Sequence, residues 1–227
     1  MRTMIFLLLL LASSGSFSAP SQSAKACQHA WDERNLVDLA QYCKKGADDG
    51  DAKSQYLLGN MYAEGIGLPK DMSTAAKLWQ QAANGGIAEA QHNVGRLYQK
   101  GIEVEQSLSK AMEWYQKAAR QGDAYSMHNI GYFYQKGQGV PVDYAKAEEW
   151  YGKAAAKGFQ NSQYNLAVMY FNGQERPKDT VKAYAWLLKA AEKDYTPARN
   201  DLAVVEKMLT PEEKARGRAL ASTLLAK

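Results

Sequence analysis

The chain is poor in the residue types from which small reactive sites are usually built. Its 227 residues include two cysteines and three histidines, too few for a multi-cysteine zinc fold or a disulfide-knit scaffold. Its 28 basic and 24 acidic residues are dispersed, leaving a formal charge of +4. Because a phosphate-tracking stripe needs clustered lysine and arginine, a nucleic-acid partner is not expected. No apolar run is long enough to cross the roughly 30 Å core of a bilayer as a helix. Also missing are a Gly-x-Ser-x-Gly elbow, a His-Glu-x-x-His helix and a phosphate loop; Gly65-Ile66-Gly67 and Gly137-Gln138-Gly139 recur as turns. The adjacent carboxylates Asp48-Asp49 and Glu148-Glu149 read as solvated. These absences argue against an enzyme and imply no cofactor and no metal.

What is present begins with an address label. Arg2 precedes the apolar run Met4–Ala12, and Ser13, Ser14, Gly15 and Ser16 follow as a small, polar cleavage region. The pattern predicts a secretory signal over 1–18, cut after Ser18, and a mature protein in the periplasm of a Gram-negative cell, without stable membrane insertion. A cut before Cys27, after Ala24-Lys25-Ala26, is disfavoured by Lys25 and by its distance from the apolar run. Export gives the cysteines a meaning: in an oxidising compartment Cys27 and Cys43 are expected to form one disulfide, with a turn at 33–35 folding two short helices together. Residues 19–50 would then be a stapled half-repeat cap.

Internal period is the dominant signal. Gly59, Gly95 and Gly131 stand 36 residues apart, and Tyr62, Tyr98, Tyr134 and Tyr170 keep the same step. So do Gly65, Gly101, Gly137 and Gly173; Ala75, Ala111, Ala147 and Ala183; and Ala82, Ala118, Ala154 and Ala190. Four uninterrupted units follow: 51–86, 87–122, 123–158 and 159–194. Ala52, Gln55, Leu58, Gly59 and Tyr62 trace one helical face, and Ala75, Leu78, Trp79, Ala82 and Ala83 trace a second. Asp51 and Asp123 are placed to cap first helices; Asp71, Ser107, Asp143 and Asp179 are placed to cap second ones. One such pair cannot bury its apolar face alone, so stacked neighbours share a continuous core. Thr210-Pro211-Glu212-Glu213 starts a last helix, and residues 195–227 are expected to cap the far end.

The order Ala-x-x-x-Leu-Gly-x-x-Tyr-x-x-Gly, then Asp-x-x-x-Ala-x-x-Trp-Tyr-x-x-Ala-Ala-x-x-Gly, resembles the SEL1-like repeat, a relative of the tetratricopeptide repeat. Unit three carries it best: Ile130-Gly131, Tyr134, Gly137-Gln138-Gly139-Val140, Asp143, Ala147, Trp150-Tyr151, Ala154-Ala155 and Gly158. Glu103 and Glu175 depart from the second loop glycine, Ala167 from the helix glycine, and Asp194 from the final one. The resemblance implies an all-α, right-handed α/α solenoid that binds a protein or peptide in its concave groove. Exported relatives are envelope adaptors, and some are immunity proteins that neutralise secreted antibacterial toxins such as lipases. A cysteine-rich branch is linked to β-lactams and cell-wall peptides, which keeps a hydrolase as a further alternative. This chain lacks that branch's cysteine pair in each unit.

In related solenoids the first helix of each unit lines the groove. That placement would set Tyr56, His92, His128 and Tyr164 along it, beside Asn60, Arg96, Tyr132 and Val168. These side chains suit a binding face, being large yet able to hydrogen-bond; packing between repeats would account for them equally well. The column Leu78, Trp114, Trp150, Trp186 reads as core, not as an aromatic ligand box. His92 and His128 are not read as a metal site, because equivalent residues on adjacent units are separated by at least one helix-to-helix distance, roughly 8–10 Å, while zinc holds nitrogens at about 2.0–2.1 Å.

Overall fold

The computed structural model describes residues 21–33, 35–174, 177–192 and 194–224; the expected signal segment 1–18 and its expected cleavage point lie outside them. Twelve helices and no strand occur among the described residues. They are α1 (Gln22–Asp32), α2 (Leu36–Asp48), α3 (Ala52–Glu64), α4 (Met72–Asn84), α5 (Ala88–Lys100), α6 (Leu108–Arg120), α7 (Ala124–Lys136), α8 (Tyr144–Ala156), α9 (Gln160–Asn172), α10 (Thr180–Ala191), α11 (Thr196–Met208) and α12 (Pro211–Thr223). Each helix from α1 to α11 packs against the next in the chain, α12 returns to α10, and the pairs stack into an α/α solenoid.

The helix bounds follow from local chemistry. Asp51 and Asp123 accept the amides of Ser54 and Ser126 at the starts of α3 and α7. Asp71, Ser107, Asp143 and Asp179 do the same for α4, α6, α8 and α10. Each loop within a unit closes in the same way: the amide of the capping residue donates to the carbonyl of Tyr62, Tyr98, Tyr134 or Tyr170 at 2.9–3.0 Å. Thr210 and Glu213 form a reciprocal capping box at α12.

Close approach within a unit depends on a ring meeting a missing side chain. A Cβ on Gly59 would lie 2.7 Å from Trp79, one on Gly95 2.7 Å from Tyr115, and one on Gly131 2.7 Å from Tyr151. In the fourth unit the partners are Ala167 and the smaller Leu187, both buried. The ring edges are satisfied on the first helix: Trp79 donates to Asn60 at 2.9 Å, Tyr115 to Gln99 at 2.7 Å and Tyr151 to Gln135 at 2.9 Å.

Both ends continue the 36-residue register. Cys43 occupies the position held by Trp79 one unit later and is bonded to Cys27 of α1, with Cα atoms 4.6 Å apart. At the other end α11 is a fifth first-helix. Its Val205 extends the buried column Met61, Leu97, Phe133, Met169, and its Ala198 extends Ser54, Ala90, Ser126, Ser162. Helix α12 then packs on α10, where Tyr184 stands over Gly217.

Two predictions follow from this geometry. Glu103 has φ +58°, the conformation that Gly67 and Gly139 adopt at the equivalent loop position. A left-handed backbone costs a residue with a Cβ about 1 kcal/mol, so Glu103→Gly should raise Tm by roughly 2–4 °C; an unchanged or lower melting point would contradict it. The disulfide closes a loop with a sequence separation of 16, for which chain entropy supplies about 3 kcal/mol. Cys27→Ser with Cys43→Ser should lose most of that in a urea titration.

Candidate protein-binding face

The first helices of successive units, α3, α5, α7, α9 and α11, are joined directly by side chains that step from one to the next. His92 Nδ1 shares a hydrogen bond with Ser126 Oγ at 3.1 Å, and His128 Nδ1 shares one with Ser162 Oγ at 2.9 Å. Tyr164 donates to Asp201 Oδ2 at 2.8 Å. Lys53 pairs with Glu89, 3.5 Å apart, across the first junction. Three of the four residues of the column Tyr56, His92, His128 and Tyr164 are therefore engaged between repeats. His92 and His128 are half-buried hinges between neighbours, and Asn60 is held by Trp79.

The part of each helix that faces away from the core is a ridge at spacings of three and four. On α5 it reads Glu89, Asn93, Arg96, Lys100; on α7, Tyr125, Asn129, Tyr132, Lys136; on α11, Asp201, Val204, Met208. Arg96, Lys100 and Lys136 are exposed and make no ion pair with a described residue. Tyr125, Val204 and Met208 are each 59% exposed, the highest values for large apolar side chains among the described residues. Between α9, α10 and α11 lies an apolar cavity of about 250 Å³, lined by Tyr164, Val168, Phe171, Leu187, Val204 and Val205 among others. Tyr164 and Val168 were legible as candidates. Tyr125, Val204 and the cavity were missed, although Val204 lies one 36-residue step beyond Val168.

The buried rings on this side titrate abnormally. Desolvation lowers the His128 pKa to about 4. Burial also lowers that of His92, opposed by Asp123, 3.5 Å away, and reinforced by Arg96. The Tyr164 hydroxyl is pushed up to about 12 by desolvation and by its bond to Asp201. Among the described residues no three His, Cys, Asp or Glu are grouped to hold a metal ion, and no helix is long and apolar enough to cross a membrane. The tryptophan column packs against the core with its outer ring faces covered by lysine: Lys117 lies 3.7 Å from the Trp114 ring centre and Lys153 4.2 Å from that of Trp150.

With this geometry in hand, comparison with known proteins decides the family. The Sel1 repeat matches four times in succession, over 52–87, 88–123, 124–159 and 160–195. The chain belongs to the Sel1 repeat family. Sel1 repeats typically mediate protein–protein binding and generally form non-catalytic scaffolds. Among solved structures, a Sel1 repeat protein from Oxalobacter formigenes is similar over 91% of this chain and 87% of its own, with 27% identity and a TM-score of 0.77. Two immunity proteins of Pseudomonas aeruginosa share the fold. PA5088 does so at 18% identity and a TM-score of 0.53, covering 92% of this chain and 84% of its own. Pa5087 does so at 15% and 0.52, covering 92% and 86%. No curated protein matches the sequence.

The histidine bridges of this Sel1 solenoid give its stability a pH dependence. A histidine whose folded pKa lies below the ordinary 6.5 favours folding fully above that value and loses the contribution as pH falls toward the folded pKa. For His128 this amounts to about 2 kcal/mol by pH 5, or a fall in Tm of roughly 4–8 °C. His92 adds a loss of the same sign. His128→Gln should flatten the melting profile between pH 7 and 5. Identical slopes for variant and parent would show that the ring is not the titrating group.

Proposed function

We propose that this chain is an exported, non-catalytic scaffold of the bacterial envelope that holds a protein or peptide in the groove lined by α3, α5, α7, α9 and α11. The observation that carries the reading is that the most exposed large apolar side chains among the described residues, Tyr125, Val204 and Met208, all stand on those helices. Exposed Arg96, Lys100 and Lys136 stand on the same set of helices, at α5 and α7. Scattered surface apolar residues are ordinary, but several on one face rimmed by polar groups mark an interaction surface. The dispersed charge of the chain supports a protein partner over a nucleic acid. The apolar run before Ser13 supports export to the periplasm, with which a Cys27–Cys43 disulfide is compatible.

The test is capture of partners by the tagged protein from its own periplasm, run beside the double variant Arg96→Ala with Tyr132→Ala. A single dominant partner that the parent retains and the variant loses, while both melt alike, is the expected result. Its identity separates an envelope adaptor from an immunity protein, which would retain a toxin such as a lipase. A variant that melts normally and captures the partner as well as the parent moves the interface elsewhere. Turnover of the chromogenic β-lactam nitrocefin by the purified protein would replace the scaffold reading with the hydrolase.

A further inference from the structure

The binding face is graded along the solenoid, and the gradient describes its ligand. At the α5–α7 section the ridge carries Arg96, Lys100 and Lys136, none paired with a described carboxylate. The one ridge carboxylate there, Glu89, is already joined to Lys53. Between these cations, Asn93 and Asn129 are half-buried, occupy equivalent positions 36 residues apart, and make no hydrogen bond to a described residue. An amide presents a donor and an acceptor together, the complement of a peptide unit. Two units further on the ridge carries Val168, Val204 and Met208 beside Asp201, which is engaged by Tyr164, and opens into the cavity between α9 and α11. Its volume of about 250 Å³ lies below the roughly 300–1,000 Å³ of small-molecule sites and suits one bulky side chain.

Resting on the protein-binding reading above, we propose that this face takes an extended segment of its partner, not a folded surface. The segment seats one bulky apolar side chain in the α9–α11 cavity and lays acidic residues against Lys136, then Arg96 and Lys100. Its main chain is held by Asn129 and Asn93. Charge complementarity selects this occupant: the section that would meet the flanking residues is cationic without internal compensation. Adjacent first helices lie roughly 8–10 Å apart, and an extended chain advances about 3.3 Å per residue. The acidic positions are thus expected roughly four and roughly seven residues from the anchor.

Selection of a random dodecapeptide phage library on the purified, oxidised protein tests this directly. The strongest selected peptide is then synthesised with a fluorophore and titrated by anisotropy. The expected motif has one bulky apolar residue with Asp or Glu four to seven positions to one side. The exposed substitution Val204→Asp should weaken the peptide at least tenfold. Arg96→Glu with Lys136→Glu should do the same, and both variants should keep the parent melting point. No enrichment, a motif lacking either element, or affinity unmoved by both variants overturns the proposal. So does a concentration-dependent dimer abolished by Val204→Asp, which gives the face to a second copy. A periplasmic partner that binds all these variants like the parent overturns the extended segment while leaving the protein-binding reading intact.

Discussion

Two helices of 13 residues, such as α3 and α4, share too little surface to stay paired unless their backbones come close. In this chain the closeness is set by a planar ring seated on a residue without a side chain. Trp79 on Gly59, Tyr115 on Gly95 and Tyr151 on Gly131 repeat that contact, and Leu187 on Ala167 reproduces it with less ring and more Cβ. The cap uses the same position differently: Cys43 replaces the ring, and a covalent bond replaces the packing. Because the ring's polar edge must find a partner, it also consumes Asn60, Gln99 and Gln135. The contact that builds each unit therefore decides which residues on its outer ridge stay available.

Between units the logic changes from apolar contact to polar bridging. Histidines and serines link α5 to α7 and α7 to α9, and a tyrosine and an aspartate link α9 to α11. In a solenoid, where each unit touches only its neighbours, such junction terms determine how far order in one unit extends to the next. Burial keeps those rings neutral because a charged imidazole would lose its hydration without gaining enough in return. The residues that look most like catalytic or metal-binding candidates are thereby spent on alignment.

The repeat was legible because its constraints are local and recur: caps, left-handed loop glycines and small helix positions each leave a residue type at a fixed step. Glu103 was visible as a departure, and its positive φ shows that the loop keeps its path without glycine. The binding face was only partly legible. His92 and Arg96 stand four residues apart on one helix, yet one turns into a junction and the other out to solvent. That split depends on the azimuth at which neighbouring units meet, which no single helix encodes. The α9–α11 cavity was missed because it forms across the boundary where the repeat consensus ends at residue 195, although the fold itself continues into α11.

The uniform helix length has a consequence for evolution of the face. Helices α3, α5, α7, α9 and α11 all contain 13 residues, so at 1.5 Å per residue each rung is about 20 Å wide. The groove is a track of fixed gauge. Duplicating or deleting a unit would lengthen or shorten the track by one rung without altering its width, so the span of partner chain it can read changes in whole steps while the contacts within each rung are conserved.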